Sequence, residues 1–103
     1  MSYLSTSTAA ALRVLVVDDC ESVRERVRWA LERAGMLVVG EAADGAEAVT
    51  QAAARQPDVV LMDLHMPRMD GIQATRTLRL RQPGTRVVLW TGESDEQLAS
   101  ALR

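Results

Sequence analysis

Four short apolar runs punctuate the chain: Val14-Leu15-Val16-Val17, Leu37-Val38-Val39, Val59-Val60-Leu61-Met62 and Val87-Val88-Leu89-Trp90. None shows the apolar–polar alternation of a half-exposed strand. Uninterrupted runs of this length fit strands buried on both faces of a parallel sheet. They predict strands over residues 13–17, 36–42, 59–63 and 86–91. The third run organises the rest. Pro57-Asp58 opens it as a turn signal, Asp63 ends it on a carboxylate, and Pro67 and Asp70-Gly71 form the loop and turn that follow. On this segment alone Asp63 reads either as a residue capping the loop or as a ligand-facing acid.

Between the runs the period changes to that of a helix. Over 21–34, Val23, Val27, Ala30, Leu31 and Ala34 share one face, with Arg24, Glu25, Arg28 and Glu32 on the other. Gly35 suits the helix end, and Trp29 belongs at the helix edge. A second helix is predicted over 46–55, packing through Ala48, Val49, Ala52 and Ala53 and stopped by Pro57. A third covers 71–81, with Ile72, Thr75 and Leu78 inward. A fourth begins at Ser94, where Gln97 completes a capping box, and continues through Leu98, Ala99 and Leu102 to Arg103.

This alternation of strand and helix, joined by short connections, predicts an α/β doubly wound parallel sheet. In such a sheet Asp18, Asp19, Asp63 and Thr91 all fall at the carboxyl ends of strands, the edge where open α/β sheets bind ligands.

The chain has 103 residues, 48% hydrophobic and 25% charged, as expected of one ordinary globular domain. Its net charge of -2 argues against direct nucleic-acid contact by this segment. Cys20 is the sole cysteine, so a disulfide framework or cysteine metal cluster is ruled out, and a lone buried thiol in a reducing cytoplasm is expected. Residues 1–11 read as a flexible leader without the charged start and apolar core of a secretory signal. No apolar run is long enough to span a membrane.

If the first and third strands are neighbours, about 4.8 Å apart, three carboxylates converge. Unit charges about 4 Å apart repel by roughly 4 kcal/mol at an effective dielectric near 20. Such a cluster takes up protons or a cation, and hard oxygen ligands favour Mg2+. A carboxylate nucleophile beside Mg2+ suggests phosphoryl transfer to an aspartate. Thr91 then reads either as a contact to a phosphoryl oxygen or as a simple strand-end hydroxyl.

Val-Leu-Val-Val-Asp-Asp at 14–19, Ala-Asp-Gly-Ala-Glu-Ala at 43–48, the stretch from Pro57 to Gly71, and Val-Val-Leu-Trp-Thr-Gly at 87–92 resemble the receiver domain of bacterial two-component response regulators. The likeness runs from about residue 12 to the end, with a texture closest to LuxR/NarL-type receivers. It implies a flavodoxin-like sheet of strand order 2-1-3-4. It implies that Asp63 is the phosphoacceptor for a sensor histidine kinase, in a cytoplasmic signalling module rather than an enzyme. Asp19, Asp63 and the backbone carbonyl of His65 would hold Mg2+, Asp18 would assist through water or a hydrogen bond, and Thr91 would contact the phosphoryl group and switch. An output domain, of a transcriptional, DNA-binding kind, would follow in a longer parent chain.

The family's domain continues with a fifth strand bearing a site Lys and then a fifth helix. Neither is present in these 103 residues, which contain no Lys. The expectation is therefore an incomplete receiver over 12–103, a piece of a longer regulator, with its fourth strand left as a bare edge and phosphorylation slowed or uncoupled. A short protein completing its sheet as a homodimer is the alternative. Two competing functions remain at this point: a non-phosphorylated receiver-like interaction module, and a Mg2+-dependent aspartyl phosphatase. The phosphatase needs a second acid where this chain has His65.

Overall fold

The computed structural model describes residues 11–64, 66, 70–90 and 102. Its elements are β1 (Arg13–Val17), α1 (Glu21–Arg33), β2 (Leu37–Ala42), α2 (Gly45–Arg55), β3 (Val59–Asp63), α3 (Asp70–Arg81) and β4 (Arg86–Trp90). The four strands form one parallel sheet in the order β2-β1-β3-β4, so the predicted architecture and strand order hold. Among the described residues β4 is a sheet margin. The predicted fourth helix, with its capping box at Ser94, lies outside the described residues except for Leu102, which is helical and buried.

The apolar runs behave as parallel strands should. Val14, Val16, Val59 and Leu61 point to one face with Val27 and Leu31 of α1, Trp90 and Leu102. Leu15, Val17, Val60 and Met62 point to the other, with Ala48 and Ala52 of α2 and Ala74 and Leu78 of α3. At about 25 cal/mol per Å2 of apolar surface, this double-sided burial is what makes the continuous runs favourable.

β2 departs from regularity in a way the sequence concealed. Val14 pairs with Val38, but Leu15 pairs with Gly40, so Val39 is a bulge. A bulge resets the two-residue alternation of a strand. Val38 therefore faces α1, whereas Gly40 lies against Gln51, Leu15 and Arg55. Glu41, next along, returns to the α1 side, where Arg24 and Arg28 bind it.

Both ends of α2 are satisfied by side chains. Asp44 caps α2 by accepting from the Glu47 amide at 2.8 Å, and Glu47 accepts from the Ala43 amide at 2.6 Å. Because the bond from Glu47 returns to Ala43, one residue before the cap, the pair is a variant of the capping box. At the other end Arg13 donates to the carbonyls of Gln56 and Arg55, so a cation sits on the C-terminal dipole of α2. Gly35 takes the left-handed conformation after α1, at φ +88, as expected of a glycine there.

Several expected faces need correction. Ala53 of α2 is exposed, because Ala48 and Ala52 already align the helix with the sheet. On α3, Ile72 is exposed and Ala74 is buried in its place beside Leu78, a rotation of the helix relative to the predicted face. Trp29 is 58% exposed and lies under the Arg33 guanidinium, 4.6 Å from the ring centroid. None of the described helices is long and apolar enough to cross a membrane.

Candidate functional site

The site is assembled by strand ends. Asp18 and Asp19 follow β1 directly, and Asp63 is the last residue of the neighbouring β3. β1 and β3 pair in register, Val17 opposite Met62, so the acids that follow each strand arrive side by side. One carboxylate oxygen from each of Asp18, Asp19 and Asp63 lies within 4.8 Å of the others. The expected convergence is thus observed. Asp18 and Asp63 are only 5% and 8% exposed, while Asp19 opens to solvent. His65 and Thr91, the other two predicted site residues, lie outside the described residues.

The loops around the acids are anchored to the sheet. The Asp18 amide donates to the Ala42 carbonyl at 3.0 Å, and the Leu64 amide donates to the Trp90 carbonyl at 2.9 Å. Asp18 Oδ1 accepts from the Cys20 amide at 2.8 Å, an Asx-type turn into α1. Gly71, at the start of α3, approaches closely: a Cβ there would stand 3.3 Å from the Asp63 carbonyl oxygen. Met66 packs into the core beside Met62.

Electrostatics distinguish Asp18. Burial raises its pKa, the Cys20 amide opposes that, and the neighbouring Asp63, as a like charge and a hydrogen-bond partner, raises it further, with Asp19 adding to the same sense. Protonation of Asp18 is thus favoured. A hard divalent cation offers the same relief, and an all-oxygen set of three carboxylates fits Mg2+ by donor chemistry.

Cys20 was expected to be buried, but it is exposed. It stands at the N-cap of α1, beyond the last buried residue of the strand, with its sulfur 3.2 Å from Ser22 Oγ. The Ser22 hydroxyl lowers its thiol pKa, helped by the Val23 amide.

One further residue reaches the site and was not singled out beforehand. Arg24 was assigned to the solvent face of α1. Instead its Nη1 donates to the Asp18 carbonyl at 2.5 Å and its Nε donates to Glu41 Oε1 at 3.0 Å. Arg28 binds the other Glu41 oxygen at 2.8 Å through Nη2. Burial pushes the Glu41 pKa up, but the Arg28 and Arg24 guanidiniums outweigh it, and the net shift is downward. The available signal was a lone acid, Glu41, beside an otherwise apolar strand, with Arg24 and Arg28 spaced one helical turn apart.

Comparison with known proteins agrees with this geometry. The response regulator receiver domain family matches over residues 14–103. The chain belongs to that family. A protein-glutamate methylesterase/protein-glutamine glutaminase 3 of Hahella chejuensis is 41% identical over 90 residues, covering 87% of this chain and 26% of that protein. The chain thus spans about a quarter of the length of that curated relative. The signal receiver domain of the putative response regulator NarL from Mycobacterium tuberculosis superposes with a TM-score of 0.71 at 39% identity, covering 88% of this chain and 77% of that one. A chain of the CheX-CheY-BeF3-Mg+2 complex from Borrelia burgdorferi gives a TM-score of 0.71 at 26% identity, covering 88% of this chain and 71% of that one. This receiver domain is therefore a signalling module by fold.

Proposed function

We propose that this receiver accepts a phosphoryl group on Asp63 from a phosphohistidine of a sensor kinase in the cytoplasm. The observation that supports this most is the meeting of Asp18, Asp19 and Asp63 within 4.8 Å at the carboxyl edge of the sheet. In this reading an Asp63 carboxylate oxygen forms a P–O bond as the P–N bond to the kinase imidazole breaks, and the electron pair leaves on the imidazole nitrogen. Asp19, Asp63 and the His65 backbone carbonyl would hold Mg2+, with Asp18 assisting through water or a hydrogen bond, and the ion would supply a Lewis acid that offsets charge on the transferring phosphoryl oxygens. Burial of Asp63 limits water access to the acyl phosphate. Thr91 hydrogen-bonds a phosphoryl oxygen and carries the change toward the surface.

In the whole protein the receiver governs an output domain. The LuxR/NarL-like texture favours a DNA-binding, transcriptional output, and the methylesterase relative is the reason to keep a catalytic output as the second candidate.

Intact mass after incubation with acetyl phosphate tests the acceptor chemistry. A single phosphoryl adduct is expected with Mg2+, absent without it and absent in Asp63→Asn. A folded chain that gains no adduct under those conditions refutes phosphoryl acceptance and favours a receiver-like interaction module.

A further inference from the structure

We propose that Arg24, oriented by Glu41, is a positioning residue that sets the cation affinity of the acid cluster. The inference rests on the reading of Asp18, Asp19 and Asp63 as a divalent-cation site. The Asp18 carbonyl that accepts from Arg24 Nη1 at 2.5 Å belongs to the peptide unit joining Asp18 to Asp19. Fixing that carbonyl fixes the peptide plane, and with it the relative directions of two of the three acids. The Asp18 backbone is held at two points, its amide on the Ala42 carbonyl and its carbonyl on Arg24, while its carboxylate meets the Cys20 amide and Asp63. Of the two backbone bonds, only the one from Arg24 comes from a side chain.

That side chain is itself held. Glu41 Oε1 takes Arg24 Nε at 3.0 Å, so the planar guanidinium cannot rotate without breaking both bonds. Arg24 is 15% exposed and Glu41 28%, which shields the pair from solvent competition. Glu41 reaches α1 because the Val39 bulge puts it on that face of β2. The chain therefore devotes a bulge, a buried-edge acid and an arginine fork to holding one carbonyl beside the cluster.

Residues that orient metal ligands typically change affinity by about 10–100-fold when removed. Mn2+ binding, followed by electron paramagnetic resonance on the full chain, is the test. Arg24→Gln is expected to weaken Mn2+ binding about tenfold or more, and Arg24→Lys to fall between it and the parent, since a lysine keeps the charge but lacks the fork. Arg28→Gln, which removes a half-exposed ion pair to Glu41 without touching Asp18, is expected to stay within about twofold of the parent. If the loss is one of affinity, saturating Mg2+ restores the rate of phosphoryl adduct formation in Arg24→Gln.

Unchanged Mn2+ affinity in folded Arg24→Gln overturns the inference, as does an equal loss in Arg24→Gln and Arg28→Gln, which would mean general destabilisation. If Arg24→Gln does not fold, Arg24→Lys decides by the same criterion. A parent chain that takes up no Mn2+ sinks the acid-cluster reading together with this inference. Uptake by the parent that Arg24→Gln leaves unaltered sinks this inference alone.

Discussion

The two faces of the sheet are covered by different means. On one side α2 sits down by fit: Ala48 and Ala52 are fully buried, and a Cβ on Gly40 would stand only 3.2 Å from Gln51 Oε1 and 3.3 Å from Leu15 Cδ1. Its two ends are tied by the Asp44–Glu47 box and by Arg13. On the other side α1 has an apolar contact through Val27, Ala30 and Leu31, but its sheet-facing margin is ionic. There Arg24 and Arg28 both bind Glu41. The α2 side places backbone by steric fit and by hydrogen bonds at the two helix ends. The α1 side also places an acid loop, because its polar margin continues into the Asp18 carbonyl. Stability is shared between the faces, whereas alignment of the acids falls chiefly to one of them.

The largest expected effect tests the shared part. Leu31 on the α1 face and Leu78 on the α3 face are both fully buried. Truncating either to Ala removes apolar contact and leaves a cavity, at a cost of about 3 kcal/mol. Against a total of about 5–15 kcal/mol for a domain, that is a large fraction. Urea midpoints should fall by similar amounts in Leu31→Ala and Leu78→Ala. A loss confined to one of them would mean that the two cores are not equivalent supports.

A smaller effect sharpens the α2 side. Asp44→Ala removes one half of the capping box, and the Glu47 amide loses its acceptor. A loss of about 1 kcal/mol is expected. Mn2+ affinity should not change, because nothing in this cap touches the acids. A parallel fall in Mn2+ affinity would show that α2 also aligns the site.

How far the sequence alone reached follows the same division. The strands were legible because burial on both faces leaves unbroken apolar runs, and the convergence of Asp18, Asp19 and Asp63 followed from strand ends and parallel order. Pairwise side-chain chemistry was hidden. Arg24 looked like a solvent residue because helical periodicity ranks residues by polarity, and an arginine can be amphipathic along its length. Glu41 gave no sign of its direction, since the Val39 bulge that turns it toward α1 leaves no mark in the composition. Cys20 was placed inside by residue type, although its position one step past the Asp pair puts it at an open helix start. Ile72 and Ala74 exchanged places because a helix as polar as α3 fixes its rotation only loosely.

The smallest effects are pH-dependent, and their signs oppose one another. The folded state holds the Asp18 proton more tightly than the unfolded chain does, since its pKa is raised by burial and by Asp63. Stability from this group therefore falls as pH rises from the unfolded value to the raised folded value. For Glu41 the net shift is downward, burial being outweighed by Arg28 and Arg24. Its contribution is present above the unfolded value and is lost as pH falls through the folded one. Denaturant midpoints measured across the carboxylate range should separate the two. Asp18→Asn should flatten the decline on the rising-pH side, and Glu41→Gln should flatten the decline on the acid side. If the acids bind Mg2+, adding it should lift the parent on the rising-pH side, where Asp18 is charged, and do so far less in Asp18→Asn. A Mg2+ response of equal size in both chains would locate the cation away from Asp18, and would leave its raised pKa as a cost of burial without a compensating ligand.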